Sequence, residues 1–467
     1  MMWLGRTQHV HFVGIGGIGM SGIAELLVNV GYRVSGSDAR RSDLTTRLET
    51  LGVRVEVGHD ARHVDQADVV VVSSAVAADN PEVVAARERH IPVIPRAEML
   101  AELMRLRVGI AIAGAHGKTT TTSMVALLLE QAGLDPTAVI GGRLSAFGSN
   151  ARLGRGRYMV AEADESDRSF LKLSPTIAVV TNIDHEHMDA YGSFDRLVEA
   201  FGDFADRVPF YGAVIACLDD PAVRDLLPRL RRRVITYGFH PDAAVRGLDP
   251  AGDGLSSRCR VQYQVHGIPA GSGEADLALQ VPGRHNLQNA LAAVAVGLEI
   301  GVPADRMFAA LAGFRGAERR YQRRGEAAGV TVVDDYGHHP TEIAAVLRAA
   351  RDGAPSRLIA VFQPHRFSRT RDCLDRFGPA LAAADRVVLT DIYAAGEPSV
   401  DGITLDVLAA AIRPHVGALE VVPSIDDVPD AVARQAQPGD LVITLGAGSI
   451  AAVGDRILQA LTTGGGR

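Results

Sequence analysis

The chain has 467 residues, 47% hydrophobic and 22% charged, which is enough for about three domains at roughly 150 residues each. Its formal net charge of −7 argues against nucleic acid as the main partner, since such binders concentrate basic residues on one face. Three cysteines (Cys217, Cys259, Cys373) without CxxC spacing exclude a disulfide framework or thiolate zinc site and point to a reducing cytoplasm.

The N-terminus lacks the basic start, apolar core and cleavage site of a signal peptide. No apolar run reaches the ~18 residues of a membrane helix, so no membrane insertion is expected. "HVHFVGIGG" reads as a strand ending in a glycine turn, and "MSGIAELLVNVG" as a helix closed by Gly31. "RVSGSD" and "ADVVVVSSAV" are the next strands, the second of them buried. A first domain over 1–104 ends after the segment holding Pro92 and Pro95. The second, 105–313, opens with "RVGIAIAGAHGKT" and a helix over 118–132. "YMVAEADESD" and "PTIAVVTNIDHEHMD" are buried strands that run into polar residues. Residues 241–282 read as a small antiparallel sheet, and "GRHNLQNALAAVAVGLEIG" as a helix. The third domain, 314–467, holds four strand–loop–helix units and a tail, "TTGGGR", expected to fray. Strands alternating with helices throughout predict an α/β fold with parallel sheets.

Two glycine loops stand out. Gly14, Gly16 and Gly19 follow a strand and open a helix, with Asp38 closing the next strand. This is the setting for a diphosphate on a helix N-terminus, with no preference for NAD over another nucleotide. The plainer alternative is glycine that merely lets a helix pack close to a strand. Gly17, Ile18 and Ser73 complete this candidate site. The second loop, "GAHGKTTTT", is a shortened phosphate loop with Ile112 where the first glycine is usual. Gly114, Ala115, His116, Gly117, Lys118, Thr119 and Thr120 would cradle ATP phosphates, Lys118 reaching the β/γ oxygens and Thr119 offering a hydroxyl to Mg²⁺. Only two of the 48 basic residues are lysine, Lys118 and Lys172, so each is informative.

Glu162, Asp164, Glu165 and Asp167 crowd one strand end, and Asp184, His185, Glu186, His187 and Asp189 the next. A Glu and a His converging there are plausible Mg²⁺ ligands, a solvated acidic rim being the alternative. "DDYGHHP" and "PHRFSRT" supply Tyr336, His338, His339, His365, Arg366 and Arg369, able to hold a carboxylate or phosphate and to orient an amine. Arg319, Arg320, Arg323 and Arg324 form a further basic run.

"GIGGIGMSGIAE", "GAHGKTTTT", "EADESD", "TNIDHEHMD", "GRHNLQNALAA", "DDYGHHPTEI", "PHRFSRT" and "IYAAGE", in this order across nearly the whole chain, resemble the Mur ligase family. The resemblance implies a Rossmann-like N-terminal domain for a UDP-sugar, a central P-loop ATPase-like domain and a C-terminal Rossmann-like α/β domain that binds the amino acid and closes over the site. It implies ATP-dependent joining of L-alanine to the lactoyl carboxylate of UDP-N-acetylmuramate through an acyl phosphate. A peptide acceptor on the same sugar is the alternative. By motif match, Lys118 contacts the phosphates, Thr119 and Glu162 hold one Mg²⁺ and His187 a second, with Glu165 the second choice of glutamate and Mn²⁺ a possible substitute. Asn286 and Asn289 would contact adenine or ribose, and Arg320 and Asp335 (Asp334 the fallback) the nucleotide. His339, Arg366 and Arg369 would surround alanine and the acyl phosphate. Several relatives bridge their metals with a carbamylated lysine, whereas Lys172 here matches none of the shared motifs. Monomer and dimer both stay open.

Overall fold

A computed structural model describes residues 4–73, 75–144, 149–269 and 271–464, apart from the side chains of residues 18, 141–144, 149–150 and 464. The predicted frayed tail is in part helical, since residues 462–464 end the helix Val453–Gly464, and 465–467 lie outside the described residues.

The first sheet holds β1 (His9–Val13), β2 (Arg33–Asp38), β3 (Arg54–Val57), β4 (Val69–Val72) and β5 (Val93–Pro95) in the order β3-β2-β1-β4-β5. All neighbours run parallel. Both faces of such a sheet are covered by helices, which is why "VVVV" appears as an unbroken apolar run. The helix Ile18–Asn29 buries Met20, Ile23, Ala24 and Leu27 against it. Each fully buried side chain of the larger kind stabilises the fold by roughly 1.5–3 kcal/mol. Strand order reverses between β1 and β4, opening a crevice at their carboxyl ends.

The second sheet holds β6 (Val108–Ala113), β7 (Thr137–Leu144), β8 (Ser149–Arg152), β9 (Tyr158–Glu162), β10 (Ile177–Val180), β11 (Ala213–Cys217), β12 (Val234–Gly238), β13 (Val245–Gly252), β14 (Ser257–Gln264) and β15 (Ser272–Leu279). Their order is β15-β14-β13-β12-β11-β10-β6-β9-β7-β8, so the strands expected as a separate small sheet extend this one. β6 lies between β9 and β10, parallel to both.

The third sheet comprises β16 (Gln322–Ala327), β17 (Val330–Asp335), β18 (Arg357–Phe362), β19 (Arg386–Leu389), β20 (Leu419–Val421) and β21 (Asp440–Leu445), in the order β16-β17-β21-β18-β19-β20. Only β16 is antiparallel to its neighbour.

The chain divides into two compact units, Met1–Leu248 with Arg260–Asp276 and Gln288–Leu311, and Asp249–Cys259 with Leu277–Leu287 and Ala312–Arg467. All three cysteines are free and buried. No helix among the described residues is long and apolar enough to cross a membrane.

Candidate active site

In the first unit, both glycine loops lie at the carboxyl edge of a parallel sheet beside β-strands of reversed order. Gly14, at φ +81°, stands against Ser73, whose Cβ would be 3.7 Å from a Cβ added at Gly14. The helix that follows has Gly17 as N-cap, no side-chain cap and no acid in its first turn. Its first-turn N–H groups have no side-chain cap, and the helix end suits an anion. Asp38 accepts from Gly16 N–H at 2.9 Å, so its carboxylate braces the loop itself. The side chain of Ile18 lies outside the described residues.

The second loop explains its missing glycine. Ile112 is a fully buried member of β6, paired to Val179 and Glu162, so the loop starts later and Gly114 is its first glycine. Gly114 adopts φ +138°, and a Cβ there would come 2.0 Å from Thr181 Oγ1. Gly117 caps the helix Lys118–Gln131 at φ +80°. The segment after β10 pins the loop: Asn182 Oδ1 accepts from His116 N–H at 2.8 Å, and Thr181 Oγ1 and Asn182 Nδ2 donate to His116 O at 2.7 and 3.0 Å. His116 Nε2 meets Asp184 Oδ2 at 2.9 Å. Lys118 Nζ donates to Gly114 O at 2.6 Å and to both Glu165 oxygens at 2.8 Å. Thr119 donates to Glu162 at 3.2 Å. Thr120 is buried on the same helix.

Burial opposes the charge on Lys118, but Glu165, Asp164 and Glu186 outweigh it and raise its pKa. Burial pushes Glu165 up to about 7, Lys118 pulling against this and Asp164 adding to it. The pocket thus holds more acid than one lysine neutralises. Glu165, Glu186 and His187 bring ligand atoms within 4.8 Å of one another. This grouping favours Glu165, the second choice, as the glutamate beside His187, while Glu162 pairs with Thr119. Asn289 reaches the loop, its Oδ1 lying 2.6 Å from where Gly117 would carry a Cβ. Lys172 is away from this cluster, half-exposed and 3.4 Å from Glu98.

In the second unit, Asn286 donates to Pro282 O at 2.7 Å. Asp335 accepts from Tyr321 N–H and Gly337 N–H at 2.7 and 2.6 Å, and burial pushes it up to about 6. Asp334 instead pairs with Arg319 at 2.8 Å. Arg320 stacks over the Tyr336 ring at 4.9 Å and lies 3.6 Å from Glu342. The ring of His338 is 5.5 Å from that of His365, and burial lowers the two to about 3 and 4, keeping both neutral. Arg369 Nη1 is 3.1 Å from His365 Nδ1, and Arg366 is 3.6 Å from Glu397. His339 is fully buried as the N-cap of the helix Pro340–Asp352, so its ring closes a helix end. Of these groups, sequence reasoning passed over Thr181 and Asn182 as loop braces; polar residues directly after a buried strand were the available signal.

Residues 9–107 match the Mur ligase family catalytic domain, 112–297 the Mur ligase middle domain and 319–448 the Mur ligase glutamate ligase domain. A UDP-N-acetylmuramate–L-alanine ligase of Burkholderia cenocepacia (strain HI2424) is 54% identical over 97% of this chain and 98% of its own. The crystal structure of a UDP-N-acetylmuramate–alanine ligase from Thermotoga maritima superposes with a TM-score of 0.81 at 28% identity, over 97% of this chain and 99% of that one. A murein peptide ligase from Psychrobacter arcticus gives a TM-score of 0.71 at 26% identity, over the same shares. Sequence, sheet order and the two loops agree: the chain belongs to the Mur ligase family.

Proposed function

We propose that the chain is an ATP-dependent ligase that joins L-alanine to the lactoyl carboxylate of UDP-N-acetylmuramate, releasing ADP and phosphate, in peptidoglycan precursor synthesis. The observation that carries this reading is 54% identity across 97% of the chain with a protein named for that reaction. A peptide acceptor is not favoured, because the relatives that are more than half identical are named for the alanine reaction.

The carboxylate must approach a triphosphate, so negative charge has to be offset at the point of attack. Lys118 neutralises the terminal phosphoryl while Gly114–Thr120 hold the phosphates. Attack on the γ-phosphorus gives an acyl phosphate and ADP; the alanine amine then displaces phosphate. Thr119 with Glu162 would hold one Mg²⁺, and His187 with Glu165 and Glu186 a second; the acid-rich grouping fits a hard divalent cation, and Mn²⁺ would fit as well. Bound there, such ions supply charge neutralisation on the phosphoryl oxygens. The first loop, with Asp38 and Ser73, takes the UDP end. Asn286, Asn289, Arg320 and Asp335 serve the nucleotide, and Tyr336, His338, His339, His365, Arg366 and Arg369 the amino acid. Domain limits at 104/105 and 313/314 suit this division of labour. The setting is the cytoplasm, in support of cell shape and division.

ADP release measured with each substrate omitted in turn tests the proposal. Release should need ATP and UDP-N-acetylmuramate, and the amide should need L-alanine. ADP formed at full rate without the UDP-sugar overturns it.

A further inference from the structure

Arg96 follows β5 directly and opens the helix Arg96–Met104, with Pro95 as N-cap. Its side chain is 28% exposed, and the guanidinium lies across two places at once. On one side it covers Gly19 in the first turn of the helix Ile18–Asn29: a Cβ added at Gly19 would come 2.3 Å from Nη1 and 3.2 Å from Cζ. On the other, Nη2 is 3.5 Å from Oδ2 of Asp164, two residues beyond Glu162. Asp164 is itself drawn toward the second loop. Burial would raise its pKa, but Lys118, Ser166 and Arg96 outweigh this and lower it. Beyond this ion pair the guanidinium donates no hydrogen bond to any described residue. Among the described residues its remaining donors, beside Gly19 at the uncapped helix end, have no other partner.

We propose that Arg96 binds the sugar-bearing phosphate of the UDP-sugar against the first glycine loop, with Asp164 setting the direction of its fork. The third glycine of the fingerprint is then required as the seat of this guanidinium, in addition to any close packing of helix on strand. An arginine matches a phosphate with two parallel N–H···O bonds, which a lysine does not reproduce. The ion pair also ties this phosphate to the strand end that carries Glu162, so the sugar's carboxylate is led from one loop toward the other. This rests on the reading of the first loop as the UDP-sugar site.

The test compares Arg96→Ala and Arg96→Lys with the unaltered chain, by steady-state kinetics and by calorimetric titration with UDP alone. Arg96→Ala should raise KM for UDP-N-acetylmuramate roughly 10- to 100-fold and weaken UDP to match, with KM for ATP unchanged. Arg96→Lys should recover only part. Gly19→Ala should copy the defect, and should add little in the Arg96→Ala background, because both act through one guanidinium. Equal rises in KM for ATP and for the UDP-sugar would make Arg96 a structural residue and overturn the proposal. So would unchanged UDP binding, or additive effects of the two substitutions. If the unaltered chain binds UDP but forms no amide, the reaction assigned above fails while the UDP titration still decides the role of Arg96.

Discussion

The two glycine loops occupy equivalent positions, each at the carboxyl edge of a parallel sheet, yet they are built oppositely. The first has glycine at four of six positions, no lysine, and a carboxylate, Asp38, bonded to its own Gly16 N–H. Its charge complement comes from outside, from Arg96 over Gly19. The second has two glycines, with its lysine inside the loop and three carboxylates about that lysine. A site that only has to hold a diphosphate can rely on backbone N–H groups and a helix end. A site where charge moves during reaction needs a fixed ammonium and acids ready for a cation. The difference teaches that loop sequence here tracks chemistry rather than fold.

The largest effect is expected where the second loop is unlike the first. Lys118→Ala should cut turnover by roughly 10³-fold, as losing one aligned charge does at such sites. UDP binding to the first loop should stay as it was. Lys118→Arg should recover little, because the Gly114 and Ala115 carbonyls and Glu165 surround a compact ammonium that a planar fork cannot replace. Phosphate release under saturating substrates reads both variants; full activity of Lys118→Ala would erase the distinction between the loops.

Glycine for alanine sharpens the comparison further. At Gly114 a methyl group needs φ +138° and meets Thr181 Oγ1 at 2.0 Å, where Thr181 is itself held between two carbonyls. Gly114→Ala should raise KM for ATP at least about tenfold, equal to 1.4 kcal/mol. At Gly16 the added Cβ meets the end of the Asp38 side chain at 2.9 Å, which can turn away. Gly16→Ala should therefore weaken UDP binding less than Gly114→Ala weakens ATP binding. The reverse order in paired titrations would mean that the first loop is the more rigid of the two.

Much of this was legible in the sequence because buried parallel strands leave continuous apolar runs. "VVVV" of β4, "IAIA" of β6 and "AVIAC" of β11 all became strands with both faces covered. β3 and β20 were missed: they are short, lie at sheet edges and are partly exposed, so no apolar run marks them. Residues 241–282 read correctly as strands, but periodicity carries no information about which sheet they join. The strand–turn–helix setting of the second loop was legible from its glycines, whereas its braces, Thr181 and Asn182, approach from a strand 65 residues away. Asp38 was legible as the acid closing β2, but its bond to the Gly16 N–H of the loop was not. Arg96 carried no motif at all. Its meaning lies in what Gly19 leaves open, and only the fold brings them together.

The smallest effect on catalysis, though not on stability, is expected beneath the first loop. There the acid is hidden rather than displayed. Glu82 is fully buried, accepting from Ser37 Oγ at 2.5 Å and meeting His63 Nδ1 at 2.5 Å, His59 Nδ1 at 3.3 Å and His11 Nε2 at 3.8 Å. Burial pushes its pKa up, but the nearby His11 ring and hydrogen bonds from Ser37 and His63 outweigh this and hold it down to about 2. A carboxyl depressed in the fold adds stability above its unfolded value, near 4.5, and loses it as pH falls through about 2. The melting temperature should therefore drop across that window. Glu82→Gln should cost about 2 kcal/mol at neutral pH, because a donor NH2 replaces one of the two acceptor oxygens shared by Ser37 and the histidines, and should flatten the drop below pH 4.5. Turnover at neutral pH should be unchanged, since Glu82 supports β1, β2 and the helix Pro81–Glu88 without reaching either loop's ligand face. Thermal unfolding followed by circular dichroism from pH 7 to pH 2 measures this. An identical pH slope in the variant would mean that the buried carboxyl is not the titrating group.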